Sequence, residues 1–276
     1  LYDLHTHTVC SDSSATPAEL VTYAKEQGLS GIAVTDHDTM RGVEAARAAG
    51  ERIGIRVLPG AEISAIDPAT ARRVHILCYA PAHPERLQPV FERVSGSREE
   101  SCLRSLALLE DRYPIREEDV RLFSKDADSL FRAHLMRALM ARGYANHVFG
   151  SLYEELFGRG HVACVPVSYI PMEEAAAAIR EAGGVAVLAH PGVYDSFESA
   201  ERLGRRGLLD GIEAYYPRRK DGDAEKISAL AERFSLIQTG GTDFHGFHST
   251  PPHPVGTCRT SDETVQMILE LAEKRK

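Results

Sequence analysis

The sequence predicts a βα barrel of about seven strands, closed or nearly closed and interrupted by a mostly helical insertion. Three observations carry this. Short apolar runs alternate with amphipathic helical patterns, the rhythm of parallel strands covered by helices. The rhythm lapses after residue 80 and returns near residue 170. His5, His7, Asp36, His37, Glu62, His190, Glu213, Asp243 and His245 fall at or just after the C-terminal ends of expected strands, where βα barrels build their sites. An open doubly wound sheet would instead gather its polar residues at a topological switch point.

The elements follow in order. LYDL is a first strand and TPAELVTYAKEQG a first helix; Thr16 is placed to cap it, Pro17 occupies its first turn, Glu19 completes a capping box and Gly28 ends it. GIAVT, the helical GVEAARAAGERIG and IRVLPG continue the alternation, and VHILCYA closes the first stretch. Residues 84–170 hold charged amphipathic segments, among them SREESCLRSLALLEDRY and SLFRAHLMRALMARGYA, with no core strand between them. MEEAAAAIREAGG, VAVLAHPG, FESAERLGRRG, DGIEAY, AEKISALAERF and SLIQTGGTDFHG restore the rhythm before a last helix from near Ser261. The expected division is therefore a barrel domain of residues 1–83 and 171–276 with a helical insertion or lid of residues 84–170.

The chain is 276 residues long, enough for a substantial core. Its 32 basic and 40 acidic residues give a net charge of -8, which argues against a long cationic groove for duplex nucleic acid. A small phosphorylated substrate or a short RNA held by its end remains compatible. Five scattered cysteines without CxxC pairs do not make a disulfide framework, and no apolar stretch is long enough to span a bilayer. The expected location is the cytoplasm, with no membrane partner.

Each polar residue has an ordinary reading taken alone: a buried histidine is commonly hydrogen-bonded in a core, and an aspartate after a strand commonly caps a helix. Together they supply the imidazole and carboxylate mixture that divalent transition metals take, with no thiolate required. His5 and His7, two apart in a strand, point to one side. His5, His7, Asp12, His37, Glu62, His75, His190, Asp243 and His245 are too many donors for one zinc ion and enough for two or three metals. A central carboxylate, Glu62 or Asp243, could bridge two ions about 3.5–4 Å apart, an arrangement suited to phosphoester hydrolysis by metal-activated hydroxide. Manganese is the expected metal, with iron and zinc also compatible with nitrogen and oxygen ligands.

DLHTHTVCSD, VTDHDT, GAEIS, VHIL, AHPG and GTDFHG, in that order along nearly the whole chain, resemble the successive metal-binding motifs of the PHP (polymerase and histidinol phosphatase) superfamily, in particular its TrpH-like phosphoesterases. The resemblance implies a distorted (β/α)7 barrel and three divalent metals. It implies that His5, His7, Glu62 and Asp243 surround one metal, that Glu62 bridges to a second held by His75 and His190, and that Asp12, His37 and His245 hold the third. Glu62 and Asp243 would then be central to catalysis, and Asp36 would orient a ligand or water beside the cluster. The activity implied is hydrolysis of a phosphomonoester of a small nucleotide such as a 3',5'-nucleoside bisphosphate, extending to 5'-3' exonuclease action on short RNA. The alternatives are a cyclic-phosphate diesterase acting on phosphoribosyl 1,2-cyclic phosphate and a polymerase-associated proofreading or structural module.

Substrate contacts are sought in the insertion and at the barrel rim. Arg132 and His134 form an RxH pattern resembling a substrate-binding position of the TrpH-like branch; at i,i+2 they diverge on a helix, yet both can approach an anion at its N-terminal end. Arg218 and Arg219 follow the strand-end sequence IEAYYP and could fork onto a phosphate. Tyr194 and Tyr215 either stack on a base or fill a packed edge, and His248 and His253 are expected at the rim. Cys10 is expected to pack rather than react.

Overall fold

The computed structural model describes residues 1–276. Its strands are β1 (Tyr2–Asp3), β2 (Gly31–Val34), β3 (Arg56–Asp67), β4 (Arg72–Tyr79), β5 (Ile170–Pro171), β6 (Val185–Leu188), β7 (Gly211–Tyr215) and β8 (Ile237–Gly240). Seven of them lie side by side in the order β1-β2-β3-β4-β6-β7-β8, with β5 paired to β3 outside this path. Past β1 the chain runs along the end of β8: Leu4 N donates to Gly240 O (3.3 Å), His7 N to Phe244 O (2.9 Å) and Phe244 N to His5 O (3.3 Å). These bonds join the first strand to the last, and the sheet becomes a distorted seven-stranded barrel. The close approach needs glycine at 241, where a Cβ would lie 2.3 Å from His5 Cβ.

Neighbouring strands are parallel from β1 to β3 and from β6 to β8, but β4 runs antiparallel to both β3 and β6. The uniform βα alternation read from the sequence misses this reversal. Its cause is the link: only residues 68–71 separate β3 from β4, whereas a parallel return needs a crossover of roughly a dozen residues. The reversal matters, because it brings the start of β4, with His75, to the end of the barrel where the parallel strands finish.

Helices cover the barrel as their sequences require. Helix Pro17–Glu26 has the expected capping box, Thr16 Oγ1 accepting from Glu19 N (3.2 Å) and Glu19 Oε2 accepting from Thr16 N (2.8 Å), and it buries Leu20, Val21 and Ala24. The last helix, Asp262–Glu273, is capped by Ser261. Between β4 and β5 lie helices Gln88–Leu109, Glu117–Arg121, Arg132–Ala141 and Ser151–Phe157. The first of these changes partners along its length. Val90, Phe91 and Val94 belong to the barrel core, whereas Cys102, Leu106 and Leu109 join Leu130, Leu135 and Phe157 in a separate core of 16 buried residues. All five cysteines are free thiols, and no helix is long and apolar enough to cross a membrane.

Candidate metal centre

Three groups of donors converge at the mouth of the barrel. His5, His7, Glu62 and Asp243 form one; His7, Asp12, His37 and His245 a second; His37, Glu62 and His75 a third. Glu62, fully buried, stands between them. Its Oε2 lies 3.2 Å from His5 Nε2, 3.2 Å from His7 Nε2 and 3.0 Å from His37 Nδ1; its Oε1 lies 2.8 Å from His75 Nδ1 and 2.9 Å from His190 Nε2. His190 is thus drawn to the Glu62 side with His75. Asp243 Oδ1 lies 3.5 Å from His5 Nε2 and 3.3 Å from His7 Nε2, and Asp12 Oδ1 lies 3.4 Å from His245 Nε2 and 3.9 Å from His37 Nε2.

His75 and His190 hydrogen-bond to Glu62 Oε1, but most of the other donor atoms face one another unpaired. His5 Nε2, both His7 nitrogens, Asp12 Oδ1, His37 Nδ1 and Glu62 Oε2 are buried with no hydrogen-bond partner, a costly state for polar atoms. Ligand atoms about 2.1 Å from a shared ion are separated by about 3.0–3.4 Å for octahedral to tetrahedral angles. Five of these nine spacings fall in that range and the donors are nitrogen and oxygen, so the residues present suit two or more divalent metal ions.

The charges are balanced in the same sense. Burial disfavours charging His5, yet Glu62, Glu213 and Asp243 push its pKa well above the ordinary value; His7, also opposed by burial, is pushed up to about 10 by the Asp243 and Glu62 carboxylates beside it. Burial raises carboxylate values, but the surrounding imidazoles hold Glu62, Asp243 and Asp12 below their usual range. Without metal, His5 and His7 therefore hold protons at neutral pH, and loading must displace them. Between pH 6.5 and 8.5 metal affinity is expected to rise by about 10- to 100-fold per pH unit, one to two protons leaving per loading event. Calorimetric titration with manganese in buffers of different ionisation enthalpy checks this; a pH-independent affinity contradicts it.

The scaffold around the donors is specific. Glu213, fully buried, accepts from His190 N (2.8 Å) and sits 3.1 Å from His5 Nδ1, fixing which His5 nitrogen faces the cluster. The sequence places Glu213 at a strand end but gives it no task; the signal was a carboxylate in the apolar run GIEAY. Glu213→Gln is expected to lower metal affinity or activity about 10- to 100-fold, measured by metal titration and steady-state rates. Asp36 is buried and holds the loop that carries Asp12, accepting from Thr8 N (2.7 Å), Thr8 Oγ1 (2.7 Å) and Ser11 Oγ (2.6 Å). Three residues outside glycine sit in the left-handed region here: His190 (φ 26°), Asp243 (φ 53°) and Asp38 (φ 53°). Such strain costs about 1–3 kcal/mol each and concentrates at functional sites.

The expected substrate residues separate into two pairs. Arg132 and Arg218 line a cavity of about 300 Å³ that lies over the donors and under the insertion. Arg218 is paired with Asp243 Oδ2. His134 is 2% exposed, its Nδ1 accepting from Phe131 N (3.1 Å), and lies outside the cavity lining. Arg219 donates to Ala214 O (2.9 Å) and covers the Tyr215 ring, also outside it. Tyr194 and His253 line the cavity, whereas His248 is buried with Nδ1 2.6 Å from Asp12 O.

A cluster of nitrogen and oxygen donors around a shared carboxylate, at the mouth of a βα barrel and under a cavity, belongs to a metal-dependent hydrolase of the multinuclear kind. The PHP domain profile matches residues 3–151. The chain is 36% identical over 256 residues to the phosphoribosyl 1,2-cyclic phosphate 1,2-diphosphodiesterase of Eggerthella lenta, covering 91% of this chain and 96% of that enzyme. It is 30% identical over 253 residues to the 5'-3' exoribonuclease Rnm of Escherichia coli, covering 89% and 85%. A solved structure from Bifidobacterium adolescentis, named for an inferred metal-dependent phosphoesterase activity, superposes with a TM-score of 0.90 at 32% identity, covering 98% of this chain and 96% of that one. The chain belongs to the PHP domain family and is a metal-dependent phosphoesterase.

Proposed function

We propose that the protein is a TrpH-like phosphoesterase of the cytoplasm that hydrolyses a phosphomonoester of a small nucleotide, such as a 3',5'-nucleoside bisphosphate, and extends to 5' ends of short RNA. The observation that carries this reading is the cavity over the donor cluster, whose volume of about 300 Å³ suits a small molecule or a chain end. We further propose three ions, manganese first, on the sets His5/His7/Glu62/Asp243, Glu62/His75/His190 and Asp12/His37/His245. When bound, such ions polarise phosphoryl oxygens and activate water. The chain's own groups do the rest. Glu62, Asp243 and Asp12 supply the negative charge that holds the centre. Arg218, braced on Asp243, presents a guanidinium to phosphoryl oxygens. Asp36 keeps the Asp12 loop in place.

A second reading, hydrolysis of phosphoribosyl 1,2-cyclic phosphate, is favoured by the 36% identity extending over 96% of the Eggerthella enzyme that carries that name. Product analysis separates the two. Manganese-loaded enzyme is incubated with adenosine 3',5'-bisphosphate, a 5'-phosphorylated short RNA and phosphoribosyl 1,2-cyclic phosphate, and nucleoside monophosphate, ribose bisphosphate and inorganic phosphate are resolved. Release of AMP and phosphate from the bisphosphate is the expected result. Turnover of the cyclic ester alone selects the second reading, and no turnover of any of them overturns both.

A further inference from the structure

Asp12 and His245 lie farther along the chain from a strand than any other donor, on the loops that follow β1 and β8. A ligand on a loop needs outside support, because no ladder of hydrogen bonds fixes its backbone. Asp36 holds the first loop at Thr8 and Ser11. Beyond Asp12 that loop is tied to the second one: Phe247 N donates to Ser14 Oγ (3.0 Å), and His248 Nδ1 lies 2.6 Å from Asp12 O. Asp12 and His245 thus sit on one junction between two loops, with Asp12 Oδ1 3.4 Å from His245 Nε2.

The junction is closed from outside the barrel. Arg137, in the middle of helix Arg132–Ala141 of the insertion, places Nη1 3.1 Å from His248 Nε2. A guanidinium can only donate, so Nε2 is the lone-pair nitrogen and Nδ1 carries the hydrogen that Asp12 O accepts. His248 is 1% exposed, and both of its nitrogens are held. The guanidinium itself lies between two rings, 4.7 Å from the centre of Phe123 and 4.7 Å from the centre of Phe247. Phe123 belongs to the insertion and Phe247 to the loop of His245, so one cation joins the two. The same helix also reaches the cavity, where Phe131, Arg132 and Ala133 at its start line the space over the donors. A single rigid element therefore carries a wall of the cavity at one end and the support of a donor loop further along.

We propose that Arg137 is a positioning residue that couples docking of the insertion to metal binding by Asp12, His37 and His245: with the helix seated, Arg137 holds His248, and His248 holds Asp12 where an ion needs it. The coupling is reciprocal. An ion on this group draws Asp12 and His245 together, stiffens the junction and holds the helix down by the same factor as the helix strengthens the ion. Glu62, the centre of the other two donor groups, lies inside β3 and takes no part in the relay. The coupling rests on Asp12, His37 and His245 being the ligands of one ion, as proposed above, and adds to them a residue of the insertion.

The test reads metal binding and amide exchange rather than turnover. Metal-free wild type, Asp12→Asn, Arg137→Met, Arg137→Lys and the double variant Asp12→Asn with Arg137→Met are titrated calorimetrically with manganese chloride. Asp12→Asn marks the ion concerned, weakening one class of site and leaving the others; a titration identical to wild type would remove Asp12 from the ligands, and the coupling falls with that reading. Arg137→Met keeps the stem between the rings and loses the donor, so it is expected to weaken that same class about tenfold, the size of one charge-assisted hydrogen bond. Arg137→Lys restores a donor and a charge and should recover about half of the loss on a logarithmic scale. In the Asp12→Asn background, Arg137→Met should change manganese binding less than about twofold. Hydrogen exchange supplies the reciprocal measurement: manganese should slow the amides of helix Arg132–Ala141 about tenfold more in wild type than in Arg137→Met. If Arg137→Met loses the circular dichroism of the wild type, His248→Asn carries the same comparison, its amide reaching Asp12 O but not Arg137. Three results overturn the proposal: an Arg137→Met titration like that of wild type, a loss spread equally over every class of site, or helix exchange that responds to manganese equally in both proteins.

Discussion

Glu62→Gln is expected to lower kcat/KM at least about 10³-fold, about 4 kcal/mol of transition-state stabilisation, and to reduce the metal content of the purified protein by at least one ion per chain. The side chain is fully buried and its two oxygens lie between 2.8 and 3.2 Å from five imidazole nitrogens. Glutamine fills the same space, removes a negative charge and turns one acceptor into a donor, so the amide N–H group faces histidines that must present lone pairs to an ion. Shape is conserved, so the far-ultraviolet circular dichroism should match that of the wild type. The measurements are elemental analysis by mass spectrometry and steady-state rates with saturating manganese. Activity within tenfold of wild type, at unchanged metal content, would remove Glu62 from the centre.

The candidate donors could be picked out in the sequence because each belongs to a short motif whose geometry is local. DLHTH puts two imidazoles on one side of a strand, and TDH or TDFH sets a histidine just past a strand end. What could not be read were contacts set by long-range packing. Glu213 meets His5 across 208 positions. Arg73 enters the cavity because the four-residue link reverses β4 and carries its first residues to the mouth. His134 was expected at the substrate on a local pattern and is instead enclosed when helix Arg132–Ala141 packs down, burying Ala133, Leu135 and Met136 with it. Periodicity gives the face of a helix that is buried; it does not say which barrel residue that face will cover.

Packing of the insertion on the barrel leads to the other large effect. Arg98→Met is expected to destabilise the protein by about 3–5 kcal/mol, because it strands a buried carboxylate. Asp38 is 1% exposed and Arg98 7%, and they are paired. The guanidinium also reaches Ser64 Oγ (3.2 Å) and Ser129 Oγ (3.4 Å) and lies over the Phe131 ring at 4.5 Å. This one side chain of the insertion thus satisfies a charge in the barrel. Asp38 in turn follows His37, donates its N–H to Glu62 O (2.9 Å) and accepts from Ser64 N (2.9 Å). Loss of its counter-ion should therefore reach the metal donors, with activity falling about 10- to 100-fold as for other groups that orient ligands. The double variant Arg98→Met with Asp38→Asn separates charge from packing: without the stranded carboxylate, at least half of the lost stability should return in urea unfolding followed by circular dichroism. A single variant within about 1 kcal/mol of wild type would mean that water reaches Asp38 once the arginine is gone, and that the insertion rests on the barrel by its apolar contacts alone.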